Sequence, residues 1–378
     1  MRLTIVCNQI LPYRTPVFDA LAREPGVEVE VLYLSEREGN RLWEVAPPAH
    51  PHVILPGFSA YVRSRDWPVH VTRGVTAALA RFAPDAVVTM GYDSPAFWQA
   101  AWWARRRGKA RVLYMGSTAY SSRSRGGLVA WLRRRFVRGA DAYLAYGTWA
   151  RDYLLQLGAD GDDVFLGMNT VDVAGVAALV AAAEPMPRAA AHELLFVGQL
   201  VPRKGADVLI EALALIDADW RLHIAGAGPQ EARLRRMVRS RGLAARVVFH
   251  GYCQPEALAP LQAGCDVLVM PSAIEVWGLV VNEALAAGLF VVAGQTAGAV
   301  ADLLRPGENG YAADVSRPER LAAVVQRAMF VPKDRAAIRA TVAPFTPERT
   351  AAELAQAARH ALFRAARRDV RAAGLVPQ

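Results

Sequence analysis

Two glutamates eight positions apart, Glu275 and Glu283, stand in the run SAIEVWGLVVNEALAAG. Leu279, Val280 and Leu285 recur there at helical spacing, which predicts a helix from about Gly278 to Ala287, closed by Gly288. Glu275 then falls on the loop that enters the helix, and Glu283 within it. The first-turn amides of Gly278, Leu279 and Val280 face the same space and favour an anion. Carboxylates beside such an anion suit vicinal hydroxyls, as on a sugar or a ribose, better than they suit phosphate. A solvated loop acid and a helix-surface acid are the alternative that spacing alone leaves open.

A second stretch, LLFVGQLVPRKGADVLIEAL, reads as a strand to Val197, then Gly198 and Gln199, then Arg203, Lys204 and Gly205, then a helix from about Ala206. Glycines admit close backbone approach, two cations lie in the loop, and a helix end offers free N–H groups; together they suit a phosphate. The spacing is not that of a P-loop, and a charged turn is the alternative. In RLHIAGAGPQEARLRRMV, Gly226 and Gly228 give part of a dinucleotide fingerprint, but position 231 is Glu. A tight strand-to-helix turn with Pro229 near its first helical residue is expected instead. The acidic run Asp160–Asp163 could hold a metal in another fold; between LLQLGA and VFLG it reads as a solvated turn. With no zinc spacing among the histidines and only three scattered cysteines, Cys7, Cys253 and Cys265, neither a metal, a cofactor nor a disulfide framework is expected.

What must position these groups is an alternation of short apolar strands with helices. RLTIVC, EVEVLYL, DAVVTMG, ARVLYMG, DAYLAYG and DVFLGMN mark the first half; ELLFVG, RLHIAG, RVVFHG, DVLVMPS, FVVAG and GYAAD mark the second. Continuous apolar strands of this kind predict parallel sheets covered on both faces. The expected class is α/β, two doubly wound Rossmann-like domains facing a cleft. Their expected bounds are 1–172 and 192–345, joined by a linker at 173–191 and followed by a helix over 346–378. Ligands in such sheets bind outside the carboxyl ends of the strands.

The chain has 378 residues, 53% of them hydrophobic, and a formal charge of +9. That length favours two cores over one. No apolar run is long enough to cross a bilayer, and the N-terminus opens directly into a strand, so a cytoplasmic location is expected. Eleven basic residues and no acid lie between Arg105 and Arg138. In GLVAWLRRRFVR, Leu128, Trp131, Leu132 and Phe136 recur at helical spacing with Arg133, Arg134 and Arg138 off that face. The segment 123–138 could therefore lie on an anionic membrane surface, making the protein peripheral, or pack on its own domain with a solvated basic side. No nucleic-acid motif accompanies the charge.

SAIEVWGLVVNEALAAG resembles the Glu-x7-Glu signature of retaining glycosyltransferases of the GT4 type, which have the two-domain GT-B fold. FVGQLVPRKGADVLIEAL, LHIAGAGP, VVFHGYCQPEALAPLQAGCDVLVMPS and TAGAVADLLRPGENGY resemble that family's other blocks in the same order, over about residues 193–315. The resemblance implies a nucleotide-sugar in the C-terminal domain and the acceptor in the N-terminal one, with the last helix crossing back. Lys204 would contact the donor diphosphate, Glu275 the hydroxyls of the transferred sugar, the amides of Gly278 to Val280 the phosphate and sugar, and Glu283 the ribose.

Several positions depart from the family pattern. Gln199 stands where an arginine is usual, which leaves Arg203 to substitute, and Ser117 and Thr118 stand where a histidine is common. NQILPYRTPVF lacks the usual glycine pair; with Arg14 it supplies, beside Ser117 and Thr118, the acceptor-side candidates. The implied reaction is metal-independent transfer from a nucleoside diphosphate sugar, UDP being the expected nucleotide. The acceptor would be a lipid-linked saccharide of cell-surface polysaccharide assembly or a soluble small molecule. A sugar-nucleotide epimerase and a non-catalytic nucleotide-sugar binder are the alternatives.

Overall fold

The computed structural model describes residues 1–36, 47–62, 67–122 and 126–372, so positions 123–125 of the basic segment lie outside the described residues. The chain forms two compact units: Met1–Asn169 with Pro347–Gln378, and Thr170–Thr346.

In the first unit the strands are β1 (Arg2–Gln9), β2 (Glu28–Ser35), β3 (His52–Ile54), β4 (Gly57–Val62), β5 (Trp67–Thr72), β6 (Ala86–Thr89), β7 (Ala110–Met115), β8 (Ala142–Ala145) and β9 (Val164–Leu166). Seven of them form a sheet in the order β3-β2-β1-β6-β7-β8-β9, and its pairings are parallel; β4 and β5 form an antiparallel hairpin. The six strands expected from sequence are present. β3 and the hairpin were not foreseen, since β3 is three residues long and lies between Pro51 and Pro56.

Alternation of side chains across the sheet divides the core. Leu3 and Ile5 pack with Val17 and Phe18 on one face, whereas Val6, Val87 and Leu113 pack with Phe97 and Trp103 on the other. The helix Pro347–Ala372 covers the first face, burying Ala351, Leu354, Ala355, Ala358 and Ala361 at helical spacing. Asp163 fixes it: this buried carboxylate meets His360 Nε2 at 2.7 Å and Arg364 Nη2 at 2.8 Å. The acidic turn expected to be solvated is thus partly an anchor, because the partners of Asp163, the His360 ring and the Arg364 guanidinium, come from a helix far along the chain.

In the second unit β10 (His192–Val197), β11 (Trp220–Ala225), β12 (Val247–Gly251), β13 (Val267–Met270), β14 (Phe290–Gly294) and β15 (Gly310–Ala313) form one parallel sheet, in the order β12-β11-β10-β13-β14-β15. All six strands match those expected. The helix Val173–Ala182, placed at the start of a linker from sequence, belongs to this unit. It is capped by Asp172 Oδ1 on the Gly175 amide (2.9 Å) and packs on the helices Pro255–Gly264 and Leu279–Ala287. The unit boundary therefore precedes this helix. Where the chain leaves the unit, the Thr170 hydroxyl donates to the Phe345 carbonyl, so entry and exit lie side by side.

Strand order reverses between β1 and β6 in the first sheet and between β10 and β13 in the second. These are the places where doubly wound sheets open a crevice for ligands.

Candidate functional site

In the second unit the loops that leave β10 and β13 flank the reversal and are bonded to each other. The Ala273 amide donates to the Arg203 carbonyl at 3.0 Å. Gly205, at φ +70°, lies so close to Pro271 that a Cβ there would fall 2.2 Å from the Pro271 carbonyl oxygen. The first loop turns through a short 3-10 segment, Pro202–Lys204, before the helix Ala206–Ala214.

This joining brings the cations to the first glutamate. Lys204 Nζ forms an ion pair with Glu275, both side chains largely buried, and Arg203 Nη1 lies 3.8 Å from the same carboxylate oxygen. Gly278 follows at φ +97°, its Cβ position 3.3 Å from Glu275 Cγ. From it starts the helix Leu279–Ala287, with no side chain capping its first turn, so the amides at Leu279 and Val280 remain for a ligand. Gly198 lies beside the stem of Lys204, its Cβ position 3.9 Å from Lys204 Cδ, and Gln199 is half-buried on the same loop.

The loop that carries Glu275 is held from behind. The Trp277 indole N–H donates to Asn282 Oδ1 (2.9 Å), the Thr296 hydroxyl to the Ala273 carbonyl (2.9 Å), and the Ala299 amide to the Trp277 carbonyl (3.0 Å). Sequence reasoning passed over Trp277 and Asn282; the indole, five residues from an amide acceptor across a helix start, was the available signal.

Glu283 is half-buried one turn further along the helix. Among the described residues it has no ion pair or hydrogen bond, and desolvation pushes its carboxyl up to about 7. Its oxygens are thus open to hydroxyl donors. Gly226 and Gly228 have a packing role, as the tight-turn reading expects. A Cβ at Gly226 would lie 1.8 Å from the Gly198 carbonyl oxygen, and one at Gly228 would lie 2.5 Å from that of Leu200.

In the first unit the acceptor-side candidates separate. Thr118 is 1% exposed and turns inward on Ser121, whose hydroxyl accepts from the Thr118 amide at 2.8 Å, so its side chain is held within the turn. Ser117 is half-buried and hydrogen-bonded to Tyr92. Arg14, 1% exposed, donates from Nη1 to the Tyr114 hydroxyl at 2.6 Å and lies over the rings of Tyr114 and Tyr146, at 4.7 and 4.4 Å.

The basic helix spans Gly127–Val137. Arg133, expected on its polar side, is buried with Phe136, and its Nη1 donates to the Ser122 hydroxyl at 2.6 Å and to the Tyr153 hydroxyl. Those two oxygens hold Nη1 of a guanidinium that would otherwise stay in water. The outward face instead carries Leu128 (70% exposed), Val129, Trp131 (59%) and Leu132, beside exposed Arg134, Arg135 and Arg138. Among the described residues no helix is long and apolar enough to cross a membrane. No group of three or more His, Cys, Asp or Glu among them could hold a metal ion.

Residues 188–342 match the family described as glycosyl transferases group 1, and residues 13–167 match the glycosyl transferase 4-like domain. The chain is 28% identical over 350 residues to the D-inositol 3-phosphate glycosyltransferase of Rhodococcus opacus, covering 83% of this chain and 76% of that one. It is 33% identical over 138 residues to an uncharacterised glycosyltransferase of Methanocaldococcus jannaschii, a match of 36% of this chain that spans only 35% of the relative's length. In fold it is similar to Anabaena HepE solved in complex with UDP, with a TM-score of 0.70 at 16% identity over 94% of this chain and 99% of the other. The two matched segments fall one in each structural unit, and with the GT-B architecture they show that this chain belongs to the group 1, GT4-type glycosyltransferases.

Proposed function

We propose that the protein transfers a glycosyl group from a nucleoside diphosphate sugar, with UDP as the nucleotide, to an acceptor hydroxyl with retention of anomeric configuration. The observation that carries this reading is the meeting of Arg203, Lys204, Glu275 and the uncapped start of Leu279–Ala287 at the second sheet's reversal. As the bond from the anomeric carbon to the leaving phosphate oxygen breaks, negative charge grows on the diphosphate. Two cations and helix-end amides stabilise that charge more in the transition state than in the ground state. Glu275 accepts from hydroxyls of the transferred sugar and Glu283 from those of the ribose. The acceptor oxygen bonds to the anomeric carbon from the face the diphosphate leaves, and its proton passes to the departing phosphate oxygen. Neither a protein nucleophile, a cofactor nor a metal takes part in this scheme.

The acceptor reading follows from the outward face of Gly127–Val137. Exposed Leu128, Trp131 and Leu132 with flanking arginines combine apolar burial with attraction to anionic lipid. The helix Pro95–Arg106 adds exposed Trp102, with Arg106 over its ring at 4.9 Å, and Trp98 packs on Phe136 of the basic helix at 4.7 Å. A lipid-linked saccharide reached from the membrane surface fits this face, and a soluble acceptor does not need it.

Thermal shift with UDP, GDP and their sugars, followed by transfer of radiolabel from the stabilising donor to extracted lipid acceptors, tests the proposal. Stabilisation by UDP-sugars and labelled lipid are expected. An isomerised donor without transfer points to an epimerase, and binding without turnover to a silent binder.

A further inference from the structure

We propose that the first unit holds an oxyanion subsite centred on Arg14, and that it receives a phosphate or carboxylate group carried by the acceptor. The proposal rests on the glycosyl-transfer reading above and adds the charge class of the acceptor to it. Arg14 leaves the turn after β1, at the reversal of strand order in the first sheet, where doubly wound folds take their ligands.

Its guanidinium is 1% exposed, yet among the described residues no carboxylate pairs with it. Nη1 is occupied by the Tyr114 hydroxyl, while buried Nη2 has no hydrogen-bond partner. The rings of Tyr114, Tyr146 and Tyr13, at 4.7, 4.4 and 5.5 Å, face the cation. The Tyr114 and Tyr146 hydroxyls hydrogen-bond to the guanidinium and the ring faces attract its charge, but none of them gives Nη2 an oxygen to bond. A buried charge in that state is costly, and a bidentate oxyanion is the ligand geometry that relieves it.

A second donor lies beside the first. Tyr114 accepts from Arg14 and, among the described residues, donates its own O–H to nothing. Burial pushes its phenol up to about 12, so it keeps that proton at neutral pH. Gly116 makes the arrangement possible, because a Cβ there would fall 2.2 Å from the Tyr146 ring. Tyr13 and Tyr146 are only half-buried, so the cation is covered by side chains, and an anion enters when one ring turns aside.

The test uses the full chain saturated with UDP, which fills the cationic loop of the second unit. Inorganic phosphate and D-glucuronate are then titrated calorimetrically into wild type, Arg14→Lys, Arg14→Gln and Tyr114→Phe. UDP affinity in each variant serves as the check on folding. Wild type is expected to bind at least one probe, Arg14→Gln to lose that binding, and Arg14→Lys and Tyr114→Phe to weaken it about tenfold and severalfold. Which probe binds assigns phosphate or carboxylate as the acceptor's group. Binding of neither probe by wild type overturns the proposal, as does unchanged affinity in the variants. If Arg14→Gln fails to fold, Arg14→Lys and Tyr114→Phe decide alone. Failure of wild type to bind any nucleoside diphosphate instead removes the glycosyl-transfer reading, a separate result.

Discussion

Lys204 and Glu275, seventy-one residues apart in sequence, form an ion pair in the second unit. A diphosphate that binds Lys204 competes with Glu275 for its N–H donors, and in the proposed scheme the carboxylate so released turns to sugar hydroxyls. Glu275→Gln should hold or tighten UDP affinity while lowering turnover about 100-fold. Lys204→Ala should lower turnover by about 100- to 1,000-fold and weaken UDP as well. Isothermal titration and steady-state kinetics on the pair check this; a parallel loss of UDP affinity in Glu275→Gln contradicts it.

Donor affinity should rise with pH across neutrality. Burial raises the Glu283 carboxyl from 4.5 to about 7, so above that pH it is ionised and, in the proposed scheme, a better acceptor for the ribose hydroxyls. The same shift opposes folding at high pH: its stabilising contribution is complete below 4.5 and is lost as pH rises through about 7. Glu283→Gln should flatten the affinity profile for an intact UDP-sugar and gain stability relative to wild type above pH 7. Titrations and melts between pH 5 and 9 measure both.

The Trp277–Asn282 bond should show strong non-additivity. Asn282→Leu alone leaves the buried indole N–H unpaired, at a cost of about 1–3 kcal/mol, whereas Trp277→Phe with Asn282→Leu removes both partners and should cost much less than the sum. Urea unfolding of the four proteins supplies the cycle.

Trp131→Glu should leave the melting temperature within a degree or so, because the ring is 59% exposed. Sedimentation with vesicles containing phosphatidylglycerol should fall severalfold, and neutral vesicles should bind neither protein.

Transfer should continue in excess EDTA, since Arg203, Lys204 and the start of Leu279–Ala287 supply the positive charge in the proposed scheme. Restoration of activity only by added Mg²⁺ or Mn²⁺ would reject that scheme.

The second unit was legible strand by strand because each strand is a short apolar run, four of the six ending at or next to a glycine, and the helix after Gly278 announced itself by its spacing. The ion pair was not, because only the placement of β10 beside β13 brings the two loops together. The resemblance to a family offered roles for Lys204 and Glu275 that spacing left open. Arg133 escaped for a related reason: periodicity placed it outward, and the hydroxyl that buries it belongs to Tyr153 in another helix. The tyrosines around Arg14 come from turns and strand ends, two of them a hundred residues or more away in sequence, and no local pattern marks them. Thr118 looked available because its partner Ser121 lies in a turn that composition does not reveal.

The bond from Thr170 to Phe345 sets the ends of the second unit next to each other. A segment whose two ends touch can be cut out or grafted without stretching its host. Residues 170–346 should thus behave as an exchangeable cassette: under the proposed reading, expressed alone they should keep nucleotide recognition, and a homologous insert spliced at the same two points should change the donor while the host retains its choice of acceptor.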